Sequence, residues 1–222
     1  MKVSIIITAY NVGKYLADAI ESALAQTYPD IEIIAINDGS TDNSAEVLEQ
    51  YKDRIRVFHQ ENKGLSATLN FALKEVTGTI IGFLDGDDII VNDKTEKQLK
   101  QFEKNPELEA TFGKMEQFLS PEFAHQSDRY NFQTGELPFQ AKMTLLIKKD
   151  AFEKYGLFPE VGVLDFVKWF DSAKAKGVVF NETDDLVVQR RIRENSLSQS
   201  SAYYPELLKY LRERIKQKRD IV

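Results

Sequence analysis

Apolar residues in the first half of the chain fall into short blocks separated by stretches of helical spacing, each block the length of a buried strand. Val3 to Thr8 reads as a strand. Asn11 can cap a helix in which Val12, Tyr15, Leu16, Ala19, Ile20, Ala23 and Leu24 recur at three- and four-residue steps, and Tyr28-Pro29 stops it. Ile31 to Ile36 is the second strand. Asp38-Gly39-Ser40-Thr41-Asp42 supplies turn and capping residues, and Val47, Leu48 and Tyr51 mark one face of a short helix. Arg54 to His59 is the third strand. Leu65, Leu69, Ala72, Leu73 and Val76 stripe the next helix, Gly78 closes it, and Thr79 to Leu84 is a fourth, apolar strand. This β-α-β-α-β-α-β order predicts an α/β fold, Rossmann-like, with a mostly parallel sheet and flanking helices.

The second half is irregular. Thr95 to Phe102 reads as a helix and Ala110 to Leu119 as a strand, while Ser120 to Phe139 has turn residues and little periodicity, the pattern of a mobile or substrate-facing loop. Met143 to Ile147, a short helix from Lys149 to Tyr155, a helix over Asp165 to Lys176, a strand over Leu186 to Arg190 and a terminal helix from Pro205 complete it. No linker or repeat divides the chain, so residues 1–222 are expected to form one domain.

Composition narrows the class. With 42% hydrophobic and 29% charged residues the 222-residue chain is globular rather than disordered. No apolar run approaches the roughly 18 residues needed to cross a bilayer, and the amino terminus is too short for a signal peptide, so a soluble, cytoplasmic protein is expected. Without cysteine there are no disulfides or thiolate sites, and the net charge of -6 argues against a nucleic-acid partner. Residues 206–222 are nonetheless +3, with Leu207, Leu208, Tyr210, Leu211 and Ile215 between the basic positions. That helix is read as a packing element with a solvated basic face, the alternative being peripheral contact with the inner face of a membrane.

Ligands in an open parallel sheet bind beyond the carboxyl ends of its strands. Those ends read Thr8-Ala9-Tyr10-Asn11, Asn37-Asp38-Gly39-Ser40 and Asp85-Gly86-Asp87-Asp88, each of which also suits a turn or cap. The last is the sharpest. Three carboxylates within four residues repel one another unless a cation neutralises them, and hard oxygen ligands suit Mg²⁺ or Mn²⁺ gripping phosphate. An EF-hand is excluded by Ile89 and Ile90 at the fifth and sixth positions from Asp85. A dinucleotide or P-loop signature and a nucleophile elbow are absent, and His59 and His125, the only histidines, are far apart in sequence.

Taken in order, Ser4-Ile5-Ile6-Ile7-Thr8-Ala9-Tyr10-Asn11, Asn37-Asp38-Gly39-Ser40-Thr41-Asp42, Asn62-Lys63-Gly64 and Phe83-Leu84-Asp85-Gly86-Asp87-Asp88 resemble the motifs of family 2 glycosyltransferases, strongly over residues 3 to 90. The resemblance implies a GT-A fold with a nucleotide-sugar half over 1–105 and an acceptor half over 106–222. It also implies an inverting, metal-dependent hexosyl transfer from a UDP-, GDP- or dTDP-sugar, with Mn²⁺ or Mg²⁺, to a saccharide or lipid-linked acceptor in polysaccharide or glycoconjugate synthesis. Carried over residue by residue, Thr8, Ala9 and Tyr10 line the base and ribose pocket, Asp38 accepts the base N–H, and Lys63 and Gly64 approach the nucleotide. Asp85 faces the ribose or diphosphate, Asp87 is the metal ligand of the DXD motif, and Asp88 shapes the turn.

An inverting displacement needs a base for the acceptor hydroxyl. Leu164-Asp165 followed by Trp169 resembles the family's Glu-Asp and Trp, with Leu164 where an acid is common, so Asp165 is the candidate base and, alternatively, a helix cap. Trp169 is read as core-facing with one wet edge. Arg190-Arg191-Ile192-Arg193-Glu194-Asn195 resembles the closing Arg-Arg-Ile-His segment, with Arg193 in place of His; an arginine cannot ligate a metal but can pair with diphosphate. Leu164 and Arg193 keep open a second reading, a catalytically silent nucleotide-sugar-binding or partner-docking domain. A nucleotidyltransferase is the third, lacking here its glycine-rich basic loop.

Overall fold

The computed structural model describes residues 1–129, 133–160, 162, 164–194 and 203–219. In chain order the elements are β1 (Val3–Ala9), α1 (Gly13–Leu24), β2 (Ile31–Asp38), α2 (Ser44–Glu49), β3 (Arg56–Gln60), α3 (Leu65–Glu75), β4 (Ile80–Asp85), β5 (Ile89–Ile90), α4 (Lys94–Lys104), β6 (Ala110–Leu119), β7 (Leu137–Pro138), β8 (Leu145–Lys148), α5 (Asp150–Tyr155), α6 (Asp165–Ala175), β9 (Phe180–Ile192) and α7 (Tyr203–Arg219). The sheet runs β3-β2-β1-β4-β8-β6-β9-β5, with β7 on β6. The first four strands in the chain are mutually parallel, as their apolar blocks and intervening helices require, and β6 and β9 form a second parallel pair. The short β8 joins these groups, antiparallel to both β4 and β6.

Every residue of β1 is buried, because helices cover both faces of the sheet. One core holds Ile5, Ile7, Leu16 and Leu84; the other holds Ile6, Leu69, Phe83, Phe112 and Trp169. Each buried isoleucine or leucine contributes about 1.5–3 kcal/mol relative to exposure. Trp169 is fully in the core, 2% exposed, stacked on Phe152 with its indole N–H donated to the Gly156 carbonyl at 2.6 Å, and it has no wet edge.

The expected elements differ in three places, while the terminal helix packs on the domain as expected. Asn11 does not cap α1: it sits at φ 52, and its side-chain oxygen accepts from the Thr41 amide at 2.8 Å. The start of α1 is capped across space instead, Gly13 N donating to Asp42 and Val12 N to Ser44 Oγ. The final strand spans Phe180–Ile192 rather than five residues. Its outer half, Asn181 to Asp185, lacks an apolar pattern and becomes a strand because β6 supplies a partner, through a register shift at Gly113, where a Cβ would lie 2.5 Å from Val187. The expected loop after Ser120 begins with a 3-10 helix, Pro121–Arg129. Glu122 pins it to α1 through Lys14 and Tyr15 and to Ser120, and although burial pushes its carboxyl up, these bonds hold it well below the usual range. Finally, α7 docks on α6, where Tyr210 donates to Asp171 at 2.9 Å and Arg214 pairs with the same carboxylate, leaving Leu208 and Leu211 exposed.

At the opposite end of the sheet from the strands' carboxyl edge, Glu32 accepts from Ser4 Oγ, from both the amide and hydroxyl of Thr77, and from Gly78 N. Burial raises its carboxyl, yet these bonds win and bring it down to about 2. The unfolded chain therefore binds the proton first, and the stabilisation is present above about pH 4.5 and lost as pH falls through about 2. Glu32→Gln is expected to destabilise the fold by about 1–2 kcal/mol near neutral pH, with the gap from wild type closing across that acid window. Denaturant midpoints measured through the window check this.

Candidate active site

Strand register brings the three polar strand ends together. Ala9 pairs with Asn37, Thr8 with Asp85, and Asp38 with Gln60, so β1, β2 and β4 finish along one edge. There they open into a crevice of about 450 Å³ lined by Thr8, Ala9, Tyr10, Asp38, Gly64, Asp85, Asp87 and Asp88, with Arg190, Arg191 and Arg193 along its rim. Its size suits a small ligand of nucleotide dimensions. Tyr10 is half exposed, its ring available to a ligand at the mouth.

Asp38 is 5% exposed and already engaged. Its Oδ1 accepts from the Lys63 amide at 2.9 Å and from Gln60, and its Oδ2 accepts from the Gly64 amide at 3.0 Å. The Asn62-Lys63-Gly64 loop is thus folded around one carboxylate, and Oδ2 retains one lone pair for a ligand. Lys63 contributes its backbone; among the described residues lining the crevice its side chain is not included. Gly39, at φ 69, lets the turn pass 2.5 Å from Asn62 N at the position a Cβ would fill.

At the end of β4 the carboxylates diverge. Asp85 Oδ1 is paired with the Lys142 ammonium and lies 3.5 Å from Thr8 Oγ1. Asp87 Oδ2 takes the Arg193 Nε–H at 2.7 Å. Asp88 turns inward, 3% exposed, and accepts the Arg191 amide at 2.8 Å. Burial first, then the charges of Asp87 and Asp85, push its carboxyl well above the ordinary value. The β5–β9 pairing, Ile89 with Gln189 and Ile90 with Val188, carries the arginines to this turn. Arg191 lies between the rings of Tyr15 and Phe118, 4.8 and 4.7 Å from their centroids, and donates to the Asp87 carbonyl and to Asp18. Arg191 is 6% exposed, a buried cation rather than a surface one. Asn195, the end of the closing motif, lies outside the described residues, as does Val163 before Leu164.

Asp165 is the first residue of α6, 4% exposed and absent from the crevice lining. Its Oδ2 accepts from Ser66 Oγ at 3.0 Å and its Oδ1 from the Phe166 amide at 2.6 Å. Leu164 takes the cap position, so Asp165 serves the helix start from inside its first turn.

A family model for "Glycosyl transferase family 2" matches residues 4–156. An uncharacterized glycosyltransferase of Rickettsia typhi is 31% identical over 94% of this chain and 72% of its own length. The chain belongs to glycosyl transferase family 2. An uncharacterized glycosyltransferase of Rickettsia felis is 34% identical over 82% of the chain but 33% of its own length, so this family 2 chain spans only about a third of some relatives. Among solved structures, S. aureus TarS in complex with UDP-GlcNAc superposes with TM-score 0.71 at 19% identity, over 92% of this chain and 64% of that one. The mannosyltransferase PcManGT of Pyrobaculum calidifontis, in complex with GDP-Man and Mn²⁺, gives 0.66 at 19% identity, over 88% and 58%. These likenesses establish the GT-A fold. Among the described residues no helix is long and apolar enough to cross a membrane.

The residues fit a divalent cation as a shared rather than a self-contained site. Among the described residues no three of His, Cys, Asp and Glu converge on one point. Asp85 and Asp87 each commit one oxygen to a protein cation, and among the described residues the other oxygen of each accepts no hydrogen bond. Two carboxylate oxygens completed by phosphate and water are the usual donor set for Mg²⁺.

Sequence reasoning missed Lys142, Tyr15 and the two-residue β5. The available signal for Lys142 was a lone charge three residues before the buried run Leu145–Ile147. Gly86 is closely packed at this edge, where a Cβ would stand 2.9 Å from both the Thr8 carbonyl and Val12. Gly86→Ala is expected to lower stability by about 1–3 kcal/mol and to weaken nucleotide binding by spreading β1 from β4, measured by thermal melts with and without nucleotide.

Proposed function

We propose that the protein is an inverting, metal-dependent glycosyltransferase that moves a hexosyl group from a UDP-, GDP- or dTDP-sugar to an acceptor hydroxyl of a saccharide or lipid-linked substrate. What carries this is one crevice in which Asp85 and Asp87, at and just past the end of β4, meet Lys142 and Arg193, a surface suited to a diphosphate and its cation. The sugar-nucleotide complexes of TarS and PcManGT support it by analogy of fold.

Thr8, Ala9 and Tyr10 would hold base and ribose, with Asp38 accepting a base N–H through the remaining lone pair on Oδ2. Lys63 and Gly64 act by fixing Asp38. Asp85 and Asp87 would present their uncommitted oxygens to Mn²⁺ or Mg²⁺, which when bound stabilises charge on the departing diphosphate. Arg193, with Arg190 alongside, adds fixed positive charge on the same side. The acceptor oxygen attacks the anomeric carbon as the carbon–oxygen bond to the diphosphate breaks. The bonding pair leaves with the diphosphate, and the hydroxyl proton passes to Asp165.

The burial of Asp165, and its absence from the crevice lining, favours the second reading, a binding domain that performs no transfer. The readings separate cleanly. Asp87→Ala is expected to abolish metal-dependent nucleotide binding, while Asp165→Asn keeps binding and lowers transfer by at least about 10²-fold. Calorimetry with UDP and GDP plus Mn²⁺, and release of nucleoside diphosphate in the presence of acceptors, measure the two. Binding with neither hydrolysis nor transfer in wild type selects the binding domain; metal-dependent binding that survives Asp87→Ala defeats the enzyme reading.

A further inference from the structure

Lys142 is one of only a few buried cations in the described chain, and it stands under the crevice rather than in it. Its side chain is 7% exposed and its ammonium pairs with Asp85, whose side chain is 29% exposed toward the crevice. The turn that carries it is braced from behind. Lys94 Nζ, itself buried, donates to the Met143 carbonyl at 3.0 Å, Gln98 Nε2 donates to the Thr144 carbonyl at 2.9 Å, and Thr144 Oγ1 donates to the Phe139 carbonyl at 2.6 Å. These bonds fix the backbone that presents Lys142 to Asp85.

The consequence follows from charge. An acidic turn with no cation would recruit a divalent ion by itself and then offer a filled site to the nucleotide. With Lys142 on one oxygen of Asp85 and Arg193 on one oxygen of Asp87, the turn is already neutralised in part, and among the described residues one oxygen of each of these two carboxylates has no partner. Resting on the glycosyltransferase reading above, we propose that Lys142 is a positioning residue that acts through Asp85: it holds that carboxylate in place as an internal counter-cation, so that a divalent ion is bound only together with a nucleoside diphosphate. The positive charge it leaves near the crevice also favours the diphosphate before any metal arrives.

The test uses the full chain, with free Mn²⁺ followed by electron paramagnetic resonance and UDP and GDP binding followed by calorimetry. Wild type is expected to take up Mn²⁺ only when UDP or GDP is present. Lys142→Met is expected to bind Mn²⁺ alone at least about tenfold more tightly than wild type, and metal-free nucleotide about fivefold more weakly, while Lys142→Arg follows wild type. General structural damage would weaken both ligands, so the opposed directions identify the charge. Because Asp85 reaches solvent, Lys142→Met has room to relax; should it not fold, Lys142→Gln is titrated in its place. Equal Mn²⁺ uptake by wild type and the uncharged variant, whether both bind or neither does, overturns the proposal. Failure of wild type to bind UDP or GDP with Mn²⁺ counts instead against the glycosyltransferase reading, and the Mn²⁺ comparison still decides the role of Lys142.

Discussion

Mutual repulsion among the carboxylates after β4 governs the architecture around the crevice. Asp85, Asp87 and Asp88 follow one strand within four residues, and a low-dielectric crevice cannot hold three such charges without compensation. Each is relieved differently. Asp85 has the Lys142 ammonium, Asp87 the Arg193 guanidinium, and Asp88 a backbone amide together with a carboxyl pushed toward its neutral form by burial and by its neighbours. Two of the three solutions come from β9 and the third from the turn before β8, so the acidic turn is held by the half of the chain that shares least with it in sequence.

That dependence gives the carboxyl end of β9 its role. A strand limited to Leu186–Arg190 would place Arg190 at the crevice but not Arg191 and Arg193 in their observed contacts. Pairing with β6 continues through Leu119 and Ile192, and Ser120 N closes the pair on the Ile192 carbonyl. The Tyr15 ring then receives both guanidiniums, and Glu122 fixes the Tyr15 hydroxyl. The 3-10 segment after β6 is in this way part of the support for the arginine rim.

The nucleotide-side fold was legible because its signal is local. Val3–Ala9, Ile31–Asp38 and Ile80–Asp85 are apolar runs bounded by turn residues, and parallel order follows from the helices between them. The positions of Thr8, Asp38 and Asp85 at one edge follow from that order alone. What could not be read was whatever depends on a distant partner. Asn181 to Asp185 forms a strand only because β6 is beside it; Asn11 appears as a cap in sequence because Asp42 and Ser44, which do the capping, are thirty residues away. Lys142 was missed for the same reason, since nothing adjacent to it in the chain reveals Asp85.

Arg193 shows how a departure from a family pattern changes the physics of a site without removing its purpose. A neutral imidazole at that position could give a lone pair to a metal; a guanidinium has none and carries a permanent charge. In this chain the charge is directed at Asp87 Oδ2, which leaves Oδ1 as that residue's open donor. The substitution therefore removes one ligand from any cation bound there and shifts the balance toward oxygens brought by the substrate. Lys142 acts on Asp85 in the same sense. On the proposed reading, both protein cations would lower the affinity of the crevice for a metal alone while raising the potential felt by an incoming diphosphate, so that the complex of the two would be preferred over either one.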